Sequence, residues 1–150
     1  MAHRWVTFVC LGLMAAAAHA QFAMVPQPVR PAAGALQASQ ALNERAYRVD
    51  AARHIYAAYP SRIMKGMMPS LLHAVLITET EVDAKGAVRS VRIVRAPAAA
   101  KEVTPWVVQL IRRAAPLPPP ARMGTVRYVE IWLVDKSGRF QVDSLTEGQR

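Results

Sequence analysis

Two short segments of the form D-x-x-G constrain the fold of this 150-residue chain more than any other feature. They are DAKG at 83–86 and DKSG at 135–138, and each lies between two runs in which apolar and polar residues alternate. Asp83 and Asp135 can cap their own turns through the carboxylate, while Gly86 and Gly138 can adopt the left-handed backbone that closes a tight turn. The pattern predicts two β-hairpins, over 78–94 and 126–145.

A helix is predicted ahead of each hairpin. The first spans about 41–58 and ends before Pro60, because a residue that precedes proline avoids the helical region. The second spans about 105–114, with Thr104 as its N-cap and Pro105 as its first residue. The predicted apolar stripes are Leu42, Ala46, Val49, Ala52 and Tyr56 on the first helix and Val107, Leu110, Ile111 and Ala114 on the second. Two hairpins that form an antiparallel sheet, with helices packed on one face, make a small α+β domain.

One predicted strand, at 128–134, is apolar on both faces. Tyr128, Trp132 and Val134 share one face, and Val129, Ile131 and Leu133 share the other. A strand with one face open to water normally alternates polar and apolar side chains. Either both faces of this strand are covered within the domain, or part of the strand is an exposed surface that binds a partner. If the segment 139–145 pairs back on this strand, the free edge of the sheet moves to 140–145.

The first twenty residues have the three parts of a secretory signal peptide. Arg4 supplies the positive charge, an apolar run follows, and Ala18-His19-Ala20 has the A-x-A form of a cleavage site. The alternative is an uncleaved anchor in the inner membrane, for which the apolar run is short. Cleavage would remove Cys10, the single cysteine. Residues 21–40, rich in Pro, Ala and Gln, are interpreted as a flexible lead-in, and 41–150 as the folded domain.

The formal net charge of +9 at pH 7 favours an acidic partner. An exported protein rarely meets nucleic acid, so the expected counterparts are an acidic protein or a weak contact with anionic lipid or glycan. A solvated basic surface is the plain alternative. The sequence contains no nucleophile motif and no phosphate-binding glycine loop, and its histidines are far apart. We therefore expect a protein that is not an enzyme and that uses no cofactor and no metal.

Four segments, taken in order, resemble the C-terminal domain of the TonB family, the periplasmic part of the energy transducers that drive outer-membrane uptake. They are YPSR at 59–62, VDAKGAVRSVRIV at 82–94, RRAAPLPP at 112–119, and the strand that follows Gly124 and ends in aromatic and aliphatic residues. The resemblance covers roughly 59–134. It implies a fold of this small α+β type that captures an extended segment of a receptor by strand addition at an exposed sheet edge.

The resemblance also implies where a partner would bind. The residues it points to are Tyr128, Val129, Ile131 and Leu133, with Tyr59 and Arg62 nearby. The partner implied is an envelope protein, with outer-membrane receptors among the candidates. The other partner implied is a second copy of the chain, which would form a homodimer through the same edge. Because the leader looks cleavable and the lead-in is short, we expect a stand-alone periplasmic binding protein. The alternative is a membrane-anchored transducer that couples an inner-membrane motor to receptor transport.

Overall fold

The structure is a computed structural model, and it describes residues 21–32, 34 and 36–146. The predicted signal peptide therefore lies outside the described residues. From Glu44 onward the elements are α1 (Glu44–Ala58), a 3₁₀ turn (Pro60–Arg62), β1 (Ala74–Val82), β2 (Val88–Arg95), α2 (Val103–Ala114), β3 (Val126–Val134), β4 (Phe140–Val142) and a second 3₁₀ turn (Asp143–Leu145). None of the described helices has both the length and the apolar character needed to cross a bilayer.

The four strands form one antiparallel sheet in the order β2-β1-β3-β4. β1 and β3 pair along their whole length, with Ala74 opposite Val134 and Val82 opposite Val126. The two predicted hairpins are thus joined through their first strands. The small antiparallel α+β fold predicted from the sequence is confirmed at this level, with a four-stranded sheet and two main helices.

The core lies between the sheet and the helices. On β1 and β3 every second side chain points toward the helices and is buried, as strand geometry requires. The buried set is Ala74, Leu76, Thr78, Thr80 and Val82 on β1 and Val126, Tyr128, Glu130, Trp132 and Val134 on β3. α1 packs on β3 and α2 on β2. The helix layer therefore covers one face of the sheet.

α1 differs from its prediction in its start and in its buried face. Asn43 is the N-cap, and its side-chain oxygen accepts the Ala46 N–H at 2.9 Å, so the helix begins at Glu44 and not at residue 41. The residues that face the core are Tyr47, Ala51, Ala52, Ile55 and Ala58. Of the predicted stripe, Ala52 is buried and the half-buried Tyr56 packs against the core, whereas Leu42 is 71% exposed. Since alanines make up much of both faces, hydrophobic periodicity could not separate them.

α2 has the predicted apolar stripe but an earlier start. Val107, Leu110, Ile111 and Ala114 are all buried. The prediction that Thr104 is the N-cap is wrong. The N-cap is Glu102, and its side chain makes no capping hydrogen bond. The Val103 N–H donates to the Ala100 carbonyl at 3.1 Å, so a preceding turn leads directly into the helix.

Both D-x-x-G turns are closed by the aspartate and the glycine. The Asp83 carboxylate accepts the Ala87 and Lys85 N–H groups, both at 2.9 Å, and these two donors lower the pKa of Asp83. The Asp135 carboxylate likewise accepts the N–H groups of Ser137 (2.8 Å) and Arg139 (3.0 Å). Gly86 and Gly138 have φ of +85° and +72°. The carboxylates and glycines therefore set the position of both hairpins.

The lead-in, which is interpreted from the sequence as flexible, contacts the domain at several points. Phe22 is only 6% exposed, and Val25 packs against the core. Val29 donates its N–H to the Ala58 carbonyl at 2.7 Å. We call residues 21–31 the strap, because they cross the helices on the outside of the domain. The burial of the Phe22 side chain offsets a proline-rich composition that by itself favours disorder.

Candidate functional site

β4 is much shorter than the strand with which it pairs. Its three residues cover only Trp132, Leu133 and Val134 of β3. Residues 126–131 of β3 have β1 on one side and, among the described residues, no strand on the other. We call this stretch the open edge of β3. The predicted return of the segment 139–145 onto β3 thus occurs, but it stops before the open edge.

Along the open edge, only alternate residues direct their backbone groups outward. The Val134 carbonyl accepts a hydrogen bond from the His73 N–H on the β1 side, at 2.9 Å. Backbone groups alternate in direction along a strand, so the N–H and C=O groups of the even-numbered residues of β3 bond to β1. Arg127 and Val129 point their N–H and C=O groups away from β1. An added strand would bond to these four groups.

Glu130 closes the end of the open edge that lies nearest β4. Its carboxylate accepts the Ile131 N–H at 3.0 Å and both the hydroxyl and the N–H of Ser144, and the Arg48 guanidinium lies 3.9 Å away. Glu130 is only 3% exposed, and burial raises the pKa of its carboxyl despite these donors. Ser144 belongs to the 3₁₀ turn after β4. Glu130 therefore fixes this turn against β3 at the point where β4 ends.

A groove runs beside the open edge. It is lined by Glu44, Arg45 and Arg48 from the first turns of α1 and by Tyr128 and Val129 of β3, and it has a volume of about 140 Å³. α1 forms the wall because it packs under β3. Strand side chains alternate between the two faces, so an added strand would place one set in this groove and the other set on the outer face of the sheet.

The outer face of the sheet has an apolar half and a charged half. The apolar half consists of Val75, Ile77, Val94, Val129, Ile131 and Leu133. Val94 is 47% exposed and Val129 is 41% exposed, and no described helix covers them. In the charged half, Arg92 pairs with Glu79 at 3.0 Å and Arg127 with Glu81 at 2.9 Å. The outer apolar residues of β3 are thus not explained by a second helix layer.

Four of the six predicted partner-binding residues lie on β3, but their side chains face two ways. Tyr128 points inward, and its ring lies 5.5 Å from that of Tyr47 on α1. Val129, Ile131 and Leu133 point to the outer face, where Val129 is the most exposed. Val129 therefore contributes both its backbone and its side chain to the open edge, whereas Tyr128 contributes to the floor of the groove.

Tyr59 and Arg62 lie away from the groove. Tyr59 is the C-cap of α1, and the other end of this 15-residue helix, about 22 Å away, lines the groove. The Tyr59 hydroxyl donates to the Leu110 carbonyl at 2.9 Å, and burial raises the pKa of Tyr59 to about 12. The Arg62 guanidinium donates to the Ser137 carbonyl at 3.4 Å. Tyr59 is thus a core residue that joins the two helices.

β2 forms the other edge of the sheet. Among the described residues β1 is its only neighbour. Its pairing with β1 shifts in register near both ends, and Arg89, Arg92 and Arg95 lie along it. Register shifts and charged side chains are common means by which proteins protect an edge strand from pairing. The β2 edge is therefore less suited to strand addition than the open edge of β3.

Glu130 and the α1 side of the groove do not emerge as site residues from the sequence pattern. Glu130 did carry a signal, since it is the one charged residue on the inward face of the strand VRYVEIWLV. A buried carboxylate needs donors, so such a residue indicates a local polar network. Glu44, Arg45 and Arg48 carried no comparable signal, because surface charges on a helix are ordinary.

The role of this site is not indicated by a metal cluster among the described residues or by similarity to a known protein. Within 21–32, 34 and 36–146, no group of three or more His, Cys, Asp or Glu residues could hold a metal ion. His54 contacts the Ala114 carbonyl and His73 the Glu102 carboxylate, on separate parts of the fold. No family model, curated protein or solved structure matches the chain.

Proposed function

We propose that this chain is a periplasmic binding protein of the TonB C-terminal type, and that it engages an envelope protein by strand addition at the open edge of β3. The observation that supports this role is the early end of β4. It leaves residues 126–131 with a strand on one side only, next to a groove walled by α1. The role is one of binding, without catalysis and without a cofactor.

Backbone pairing alone is too weak to hold the partner. The outward groups of Arg127 and Val129 offer four hydrogen bonds, each with a net value of about 0.5–1.5 kcal/mol. Their sum is at most about 6 kcal/mol, whereas a micromolar complex requires about 8 kcal/mol. Side chains of the partner that enter the groove and cover Val129 must supply the rest. Selectivity among extended segments therefore resides in the groove.

Photo-crosslinking in the producing cells tests the position of the site. A crosslinking residue at Val129 reports on the open edge of β3, and the matched residue at Val94 reports on the β2 edge. We expect a product from Val129 that contains one extended segment of an envelope protein. A product of twice the chain mass, made of this chain alone, would identify a second copy as the partner. Products from Val94 only would place the site on β2.

Two proline variants test the mechanism. The N–H of Val129 points away from β1, so Val129→Pro removes an edge donor without breaking the ladder. By the same alternation Val91→Pro removes an outward donor on β2 and serves as the matched control. With the crosslinking residue moved to Arg127, an exposed position on the same edge, we expect Val129→Pro to abolish crosslinking to the partner and Val91→Pro to preserve it. If folded Val129→Pro protein still captures the partner as well as Val91→Pro does, strand addition at this edge is excluded.

The cellular location is tested by the mass of the native N-terminus after cell fractionation. We expect a chain that begins at Gln21 in the soluble periplasmic fraction. A chain that retains residues 1–20 in the inner membrane would instead favour the anchored transducer. The crosslinking experiment is independent of this result, because the open edge of β3 is present in either case.

A further inference from the structure

The strap is held by an aromatic pocket at its N-terminal end. The Phe22 ring packs edge-on against Trp106, with centroids 5.3 Å apart, and stacks on His73 at 5.5 Å. Gly138 forms another part of the pocket wall, since a Cβ built on it would lie 3.9 Å from the Phe22 ring. Phe22 is the one strap residue that the domain buries fully. The pocket thus recognises an aromatic side chain.

Beyond the pocket, the domain contacts the strap through backbone atoms. The Trp106 indole N–H donates to the Met24 carbonyl at 3.4 Å, and the Arg113 guanidinium donates to the Val25 carbonyl at 2.9 Å. The Val29 N–H is bound by the Ala58 carbonyl. These contacts do not depend on the side chains of the strap. Together with the aromatic pocket, they are the elements of a peptide-binding groove.

The strap is otherwise loosely held. Met24 is 78% exposed and Val29 is 59% exposed, and Arg30 and Pro31 are exposed as well. Ordering the backbone of each residue has an entropic cost comparable with the gain from one hydrogen bond. A segment with one buried side chain and three direct backbone hydrogen bonds therefore docks with only a small net gain in free energy. Phe22 is the only residue of the strap in the core cluster, whose other members come mainly from the sheet and the two helices.

We propose that this second groove is a peptide-binding site with an aromatic anchor, and that the strap occupies it reversibly while the rest of the domain stays folded. The site is distinct from the open edge of β3 and does not depend on strand addition there. Release of the strap frees residues 21–31, which reach about 35 Å when extended, and opens the groove to another extended segment that carries an aromatic side chain. In a chain that keeps residues 1–20, the same release lengthens the connection between those residues and the domain.

A binding experiment with the full chain tests this proposal. The probe is a fluorescent peptide with the sequence of residues 21–31, QFAMVPQPVRP, and its control carries alanine at the position of Phe22. Phe22→Ala in the chain releases its own strap and opens the groove. We expect the probe to bind Phe22→Ala protein saturably and to quench or enhance the emission of Trp106. It should bind wild-type protein at least tenfold more weakly, because the tethered strap competes.

The control peptide should bind Phe22→Ala protein about thirtyfold more weakly than the probe, as expected for the loss of one buried aromatic side chain. Equal binding of the two peptides, or no saturable binding to folded Phe22→Ala protein, would overturn the proposal. Loss of the folded circular dichroism spectrum in this variant would also overturn it, since the strap would then be part of the indivisible core.

Hydrogen exchange on the wild-type chain gives an independent readout. The Val29 N–H is bonded to the Ala58 carbonyl, whereas the amides of β1 lie in the centre of the sheet. If the strap leaves and re-enters the groove while the domain stays folded, the Val29 amide should exchange at least a hundredfold faster than the slowest amides of β1. If the two exchange at the same protected rate, the strap opens only on global unfolding and the proposal fails.

Discussion

Gly86 is the position where the structure makes the sharpest prediction about stability. Its φ is +85°, and a Cβ placed on it would lie 2.0 Å from the carbonyl oxygen of Leu117. The Leu117 N–H in turn donates to the Gly86 carbonyl at 2.8 Å, and Leu117 is fully buried. The first hairpin turn is thus packed backbone against backbone on the connector that follows α2. Gly124 has a similar φ of +74°, but no described atom would lie within 4 Å of a Cβ placed on it, which makes it the matched control.

The expected magnitudes separate the two glycines. For Gly124→Ala, the left-handed conformation costs about 1–2 kcal/mol, and the stiffer unfolded chain returns about 0.4–1 kcal/mol. The net loss is about 1 kcal/mol. For Gly86→Ala, the Leu117 carbonyl must also move by about 1 Å, which disrupts a hydrogen bond of about 1 kcal/mol and repacks a core leucine at about 1–3 kcal/mol. We expect Gly86→Ala to lower the free energy of unfolding by about 3–5 kcal/mol.

Urea unfolding, followed by circular dichroism, measures both variants. With a slope of about 1.5 kcal/mol per molar, the midpoint should fall by about 2–3 M for Gly86→Ala and by about 0.7 M for Gly124→Ala. The comparison cancels the shared cost of a positive φ. Equal shifts in the two midpoints would refute the reasoning, because they would mean that the turn does not contact Leu117.

Three further predictions follow from single contacts. Burial raises the pKa of Glu130 above its ordinary value of 4.5, so its stabilising contribution is present below that value and lost as pH rises through the folded-state pKa. Glu130→Gln should therefore gain stability relative to wild type as pH rises from below 4.5 through the folded-state pKa, and a pH-independent difference in urea unfolding would contradict this. Tyr59→Phe removes the hydrogen bond to the Leu110 carbonyl, so it should lower the free energy of unfolding by about 1 kcal/mol and leave partner capture intact. Loss of capture at unchanged stability would instead show that Tyr59 contacts the partner. Capture at the open edge should change by less than about threefold between about 50 and 500 mM salt, and a steep decline in crosslinking would point to a contact dominated by charge.

The features that the sequence predicts correctly are those encoded within a few residues. The turns at Asp83 and Asp135 depend on carboxylates that bond to amides two and four residues ahead. The buried stripe of α2 was also predicted, since it consists of large aliphatic residues with a clear helical period. In these elements the local chemistry and the tertiary fold favour the same structure.

The features that the sequence did not predict depend on contacts between distant residues. The order of the strap depends on Phe22, whose partner Trp106 belongs to the second helix. The groove depends on where the N-terminal turns of α1 pass under β3, and no spacing in the sequence encodes that. The buried face of α1 also depends on such a contact, since the Tyr47 hydroxyl donates to the Pro118 carbonyl at 2.8 Å. The alanines of α1 fit either face.

The open edge of β3 itself follows from one carboxylate. The sequence RFQVDSL alternates as a strand does as far as Asp143, and the hairpin predicted to extend to Leu145 would cover β3 well past Trp132. Where β4 ends, the inward carboxyl group of Glu130 binds the hydroxyl and the N–H of Ser144, which supply donors that a buried carboxyl group needs. The chain leaves the sheet at Asp143 and turns, and the turn brings both groups to Glu130. This contact holds the chain away from the rest of β3, and the short β4 leaves Arg127 and Val129 with outward backbone groups that a partner strand can use.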